Sequence, residues 1–188
     1  MLLSRSSRRV GNSLPTLRRL TWLLSISLVL LGAVMALAPT AQAQSQSVGR
    51  VTGEVLPRWV SLKDEDAYLR RGPTKTHAIE WVYQRQYMPI EVVAEFGNWR
   101  RVRDRDGTLG WMGRSVLANR RTGMVQADLT PLFRGNTQDT NVLAYLEEDV
   151  VLHLKSCKDY WCQVQVENLT GWLPTSVIYG VYAGEEIN

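Results

Sequence analysis

From residue 45 onward the apolar residues come in short bursts. Trp59-Val60-Ser61-Leu62, Ile79-Glu80-Trp81-Val82-Tyr83, Ile90-Glu91-Val92-Val93-Ala94, Trp99 to Arg103 and Leu109 to Met112 are rich in β-branched and aromatic side chains. Gly72-Pro73, Pro89, Gly97-Asn98 and Asp106-Gly107 separate them. β-branched and aromatic side chains fit a pleated surface, and Gly, Pro, Asn and Asp supply the backbone angles that reverse a chain. The pattern predicts many short strands. No apolar period of about 3.6 residues lasts beyond a turn or two, which argues against helices.

The pattern then repeats. Leu69-Arg70-Arg71-Gly72-Pro73-Thr74 matches Leu132-Phe133-Arg134-Gly135-Asn136-Thr137, an offset of 63. Ile90-Glu91-Val92 matches Leu152-His153-Leu154, and Gly97-Asn98-Trp99 with Val102 matches Asp159-Tyr160-Trp161 with Val164, an offset of 62. Gly110-Trp111 and Val116 match Gly171-Trp172 and Val177, an offset of 61. Matches in fixed order with indels between them mean a duplicated unit of about 60 residues. A unit that small buries a limited core, so the two copies are expected to pack on each other. The expected organisation is a flexible linker over 44–56, a first unit over 57–119, a second over 120–182 and a tail over 183–188.

Residues 1–43 have a different character. Arg5, Arg8, Arg9, Arg18 and Arg19 precede an uncharged, mostly apolar run from Thr21 to Ala38, which is followed by Ala41-Gln42-Ala43. A basic start, an apolar middle and an A-x-A ending form an export signal, with cleavage expected after Ala43. The run of 18 residues from Thr21 to Ala38 is at the short limit of a membrane span, so an uncleaved anchor is the other fate. The A-x-A site favours cleavage, which leaves a periplasmic or secreted protein without stable membrane insertion. Arg8-Arg9 fits a twin-arginine signal in part, but Val10-Gly11 lacks the apolar pair that usually follows. No Cys lies near the cleavage point, which argues against a lipid anchor.

This changes the charge argument. The whole chain carries +4, but five of its 22 Lys and Arg residues precede position 44, while all 18 Asp and Glu follow it. The remainder has 17 basic against 18 acidic residues and stands near −1. A nearly neutral chain has no excess positive field to condense onto phosphates, which argues against nucleic acid as a partner.

Leu69 to Pro73, then Gly97 to Val102, then Gly110 to Leu117, each with its counterpart in the second copy, resemble the bacterial SH3-like (SH3b) domain. The resemblance covers 57–182. The stretch from Val92 to Trp111 is similar to exported bacterial SH3 proteins of unassigned function. The resemblance implies an all-β fold of two tandem five-stranded barrels. It also implies that the Gly before Trp111 or Trp172 lets two strands pass closely. A single 3₁₀ turn is expected over Met112 to Ser115 and over Leu173 to Ser176, with Val116-Leu117 and Val177-Ile178 re-entering the sheet. Gly171 to Ile178 also resembles eukaryotic-type SH3 domains, in which Trp161 and Pro174 fit two positions of the groove for proline-rich peptides. Val116 and Val177 stand where a groove Tyr belongs, and Gly113 replaces the Pro in the first copy. Recognition of polyproline needs stacked aromatic ridges, so these departures argue against that ligand.

Family members attached to wall enzymes often bind peptidoglycan. The resemblance therefore implies a binding module for peptidoglycan or for an envelope protein or peptide. Candidate contacts are Trp81, Tyr83, Tyr87, Trp99 and Arg101 in the first copy, and Tyr160, Trp161 and Pro174 in the second. Trp99 and Val102 lie three apart on one strand and face opposite ways, so a core Val102 leaves Trp99 outward. Packing is the more frequent role of Trp, and Trp111 and Trp172 are assigned to it. Arg101, Arg103 and Arg105 share a strand face, which reads as a solvated surface of paired charges.

Cys157 and Cys162 flank a predicted hairpin tip, and oxidising conditions after export favour a disulfide between them. Glu95 and Arg100 stand near the same positions in the first copy. His153, between two inward-pointing apolar residues, is expected to face water. His77 and His153 with two cysteines lack zinc-site spacing, so neither metal nor cofactor is implied. No G-x-S-x-G, H-E-x-x-H or phosphate-cradling glycine loop occurs, and a disulfide-bonded Cys157 offers no thiolate beside His153. The expectation is a protein that binds and does not catalyse.

Overall fold

Every one of the five apolar bursts folds as a strand. The computed structural model describes residues 47–188. The export signal expected over 1–43, with Ala41 and Ala43, lies outside the described residues. In the first copy the strands are β1 (Ser47–Val48), β2 (Val55–Leu56), β3 (Arg58–Leu62), β4 (Ala67–Arg70), β5 (Ile79–Tyr83), β6 (Pro89–Phe96), β7 (Trp99–Arg103), β8 (Leu109–Gly113) and β9 (Leu117–Ala118). In the second they are β10 (Thr122–Val125), β11 (Thr130–Phe133), β12 (Val142–Leu146), β13 (Val151–Lys158), β14 (Trp161–Val166), β15 (Leu169–Pro174) and β16 (Ile178–Tyr179). Among the described residues no helix is long and apolar enough to cross a membrane.

The duplication is visible in the topology. One sheet runs β5-β4-β8-β7-β6-β3-β9 and the other β12-β11-β15-β14-β13-β10-β16, the same order throughout. All strand pairs are antiparallel. Five strands (β3 and β6 to β9) make the frame of the first barrel, and the hairpin β4–β5 closes against β8 through Arg70 and Trp111. Irregularities in register recur at matching places: between Val92 and Ala94, and between Leu154 and Ser156. A bulge bends its strand and raises its twist, which is how a short sheet turns back on itself.

The alternation in each strand fills two separate cores. Leu62, Leu69, Ile90, Val92, Val102 and Met112 fill the first. Val125, Leu132, Leu152, Leu154, Val164 and Leu173 fill the second at the equivalent positions. Each such side chain contributes about 1.5–3 kcal/mol by leaving water. The Gly-Trp step has a packing cause. A Cβ on Gly110 would lie 2.5 Å from Leu69 Cγ, and one on Gly171 would lie 2.7 Å from Leu132 Cγ and from the Phe133 carbonyl oxygen. Only Gly lets the hairpin lie across the frame strand there. The 3₁₀ turns follow at Arg114–Val116 and Thr175–Val177, about two residues later than the sequence indicated, so Val116 and Val177 belong to the turns.

Two segments differ from the sequence reading. The expected linker over 44–56 contains a hairpin, β1–β2, whose turn hydrogen-bonds to Glu95. The tail is tied down too: Ile187 exchanges backbone hydrogen bonds of 2.8 and 3.0 Å with Cys157. In both cases the partner lies far away in sequence, so local composition carries no sign of it.

The two barrels share an interface. The indole of Trp59 meets the rings of Tyr179 and Tyr182 at 4.8 and 5.5 Å. The Tyr182 hydroxyl donates to Glu91 Oε1 at 2.8 Å, and Thr122 Oγ1 donates to the Tyr87 carbonyl at 2.7 Å. Arg105 pairs with Glu148 and Asp149, and Arg85 donates to the Asp149 carbonyl at 2.7 Å. His153, expected to face water, is half-buried here, with its ring 5.3 Å from that of Tyr87. Strand parity sends it outward from its own barrel, and the neighbouring barrel covers part of that outer side. Burial, then the nearby Arg120 and Lys155, push its pKa below the usual histidine range.

Candidate functional site

A cleft of about 1260 Å³ opens on the first barrel. Its floor and rim come from the β1–β2 turn, the β4–β5 loop, the start of β7 and the 3₁₀ turn after β8. Trp99 stands in it, half-buried. β7 alternates as expected: Arg100 and Val102 turn inward while Trp99 and Arg101 turn outward. Lys63, Lys75 and Arg114 line the cleft and are exposed. None of the three has a carboxylate partner among the described residues.

Beneath Trp99 lies a charge cluster that sequence reasoning missed. Arg100 is only 3 % exposed, and the side chain of Glu95 is wholly enclosed. Glu95 Oε1 lies 3.4 Å from Arg100 Nε and 3.3 Å from Arg58 Nη2. The Glu95 carboxylate also accepts from the N–H groups of Val51 and Thr52 at 3.1 and 3.0 Å and from Thr52 Oγ1 at 2.7 Å. Burial opposes ionisation of Glu95. The hydrogen bonds from Thr52 and Val51, with Arg100, outweigh it and hold the carboxyl below the usual range. Arg58 also pairs with Glu54, yet its Nη1 is buried without a hydrogen-bond partner among the described residues.

The cluster has a counterpart. Glu95 and Arg100 are cross-strand partners in β6–β7, and Cys157 and Cys162 are cross-strand partners in β13–β14. The two cysteines form a disulfide. One copy thus fixes its hairpin tip with an ion pair and the other with a covalent bond. The repeat offset of 62 already aligned these pairs and was the signal available for finding the cluster.

The other expected contacts divide. Trp81 is 60 % exposed on the edge strand β5, and Arg101 is exposed on β7. Tyr160 is 66 % exposed at the disulfide-fixed tip. Trp161 is half-buried, packs edge-on against Phe133 at 5.8 Å and faces Pro174 across the strands. The structure therefore brings Tyr160, Trp161 and Pro174 together.

Two expected contacts are displaced. Tyr83 is 7 % exposed and donates to Asp104 Oδ2 at 2.6 Å, so it belongs to the core. Burial, then the bond to Asp104, drives its pKa upward. Tyr87 lies between the barrels against His153, with the Arg120 guanidinium 4.7 Å from its ring. Trp111 and Trp172 are half-buried. The arginine row is paired in part: Arg103 binds Glu91 across the strands at 2.6 Å, and Arg105 reaches the second barrel. Among the described residues no group of three or more His, Cys, Asp or Glu is placed to hold a metal ion.

The sequence profile described as "Bacterial SH3 domain" matches the chain twice, at residues 63–118 and 126–180. The chain belongs to the bacterial SH3 domain family. Its two SH3 domains coincide with the two sheets, and bacterial SH3 domains are binding modules, often related to the cell wall. No curated protein matches the chain. Among solved structures, that of NlpC2 from Trichomonas vaginalis is similar at 7 % identity and a TM-score of 0.31, covering 65 % of this chain and 47 % of that one. The chain thus spans about half the length of that structure.

Proposed function

We propose that this chain is an exported, non-enzymatic binding module of the cell envelope that holds peptidoglycan through its SH3 domains. The observation that carries this is the first-barrel cleft: an indole, Trp99, set in a large open groove with polar and charged walls. Aromatic faces and a few placed polar groups are what a binding groove needs. Non-enzymatic action is supported by the disulfide, which occupies both thiols. Export is supported by the basic, apolar and A-x-A pattern of residues 1–43.

Sedimentation with purified peptidoglycan tests the reading. The wild type is expected in the pellet, and Trp99→Ala is expected to bind about tenfold or more weakly, as loss of a central aromatic anchor does. Equal retention of both would remove Trp99 from the site. Absence of wild type from the pellet would remove peptidoglycan as the ligand.

A second reading rests on the edge strands. β5 exposes Ile79, Trp81 and Val82, and β12 exposes Val142 and Tyr145. An apolar edge strand can pair with a strand of another protein. Crosslinking in intact cells separates the two readings by capturing protein or peptidoglycan.

A further inference from the structure

The two barrels share backbone, core and topology, so a difference between their equivalent surfaces isolates what one of them does alone. The equivalences are fixed by hydrogen bonds. Lys63 N donates to the Val116 carbonyl as Gln126 N does to that of Val177. Arg114 N donates to the Asn98 carbonyl as Thr175 N does to that of Tyr160, each at 2.8 Å. Arg71 N to Ala78 O and Arg134 N to Asn141 O close the same loop, which carries Lys75 in one copy and Gln138 in the other. Lys63, Lys75 and Arg114 are therefore replaced by Gln126, Gln138 and Thr175. The second barrel also has Asp139 and Asp159 in place of Thr76 and Gly97. It gains a single cation at the tip, Lys158 in place of Phe96. The indole is kept in both copies, as Trp99 and Trp161.

The cleft on the first barrel thus carries cations that the equivalent positions of the second barrel lack. Its Arg58 and Arg100 are neutralised by Glu54 and Glu95, and Glu54 is the one acidic residue on its walls among the described residues. Lys63, Lys75 and Arg114 remain. Asp64, Glu65 and Asp66 follow Lys63 in the chain but do not line the cleft. The three exposed cations stand on three different segments of the groove wall. Cations on separate segments suit the separate carboxylates of an extended peptide, whereas a phosphate group favours clustered donors. Arg58, whose Nη1 is buried without a hydrogen-bond partner among the described residues, is one of the residues lining the same groove.

We propose that the Trp99 cleft, and not its counterpart around Trp161, binds the free carboxylates of wall-derived peptide, with Lys63, Lys75 and Arg114 as the recognising cations. The proposal rests on the peptidoglycan reading above. It makes the first barrel the reader and the second its support.

The test uses the full chain, peptidoglycan in native form and peptidoglycan whose carboxyl groups have been converted to amides. The variant Lys63→Gln/Lys75→Gln/Arg114→Thr installs the second barrel's residues at three exposed positions. An unchanged thermal midpoint and near-UV circular dichroism confirm that it folds. Wild type is expected on native peptidoglycan and about tenfold weaker on the amidated form, with the variant showing the same loss on native material. Equal binding of wild type to both forms, or undiminished binding of the folded variant, overturns the carboxylate proposal and leaves the wall reading standing. No binding of wild type to native peptidoglycan overturns both. Release by inorganic phosphate at concentrations where acetate has no effect would assign the cleft to phosphate and also overturn it.

Discussion

At the scale of single residues, Glu95 organises the first barrel. It draws the β1–β2 turn, Arg58 and Arg100 onto one enclosed carboxylate. Removing one member of such a group leaves the others buried and unpaired, which is the costly way to lose an ion pair. Glu95→Gln is expected to lower stability by about 3 kcal/mol in urea unfolding at neutral pH. The pH dependence has a definite sign. The folded state holds the Glu95 carboxyl below its ordinary value, so its contribution is complete above the ordinary glutamate pKa. That contribution is lost as pH falls through the folded value. Wild type and Glu95→Gln should therefore converge in stability under acid, and a constant gap down to pH about 3 would contradict this account. Tyr83 shows the limit of sequence reading at this scale. It ends a strand whose other residues are all exposed, and only its bond to Asp104, 21 positions away, takes it inside.

Among the elements, the β6–β7 and β13–β14 hairpins do the same job with different chemistry. Because the first works without cysteines, the fold does not depend on the disulfide. Cys157→Ser/Cys162→Ser should fold and lose roughly 2 kcal/mol, the share expected for so short a loop. The converse is a sharper test. Glu95 and Arg100 occupy the register of the cysteines, so Glu95→Cys/Arg100→Cys should close a disulfide on oxidation. Two free thiols in oxidised protein would show that the tips are not equivalent. Most of the strand plan was legible because the repeat fixes it: the Gly-Trp steps, the paired valines and the turn residues recur in order. The β1–β2 hairpin was not, because its anchor lies 43 and 44 residues away, and polar, glycine-containing segments look like linkers until their partner is known. The placement of Trp99 and Trp161 off the core face was legible from strand parity, and that of Trp161 beside Pro174 from the resemblance. The cations that distinguish the Trp99 cleft lie on loops, where no apolar period marks them.

Taken as a whole, the pair is held by contacts that neither copy makes internally. The Trp59–Tyr179–Tyr182 aromatic group, the Tyr182–Glu91 hydrogen bond and the Arg105 pairs join the barrels over a broad front. Units of about 60 residues with small cores gain from such support. Scanning calorimetry of the wild type should give one cooperative transition, with calorimetric and van't Hoff enthalpies in agreement. Arg105→Ala/Tyr182→Phe should separate it into two. Two transitions in the wild type would mean that the barrels melt independently. Tyr87 and His153 escaped the sequence reading at this same scale, because parity sorts inside from outside within one barrel and is silent about a second. The split between the matched hairpin tips has a practical side. Reductant reaches one tip and acid the other, so the molecule carries two independent catches. An experimenter can slip either catch while its twin stays fastened, and can learn from each half separately how much the grip on a ligand depends on it.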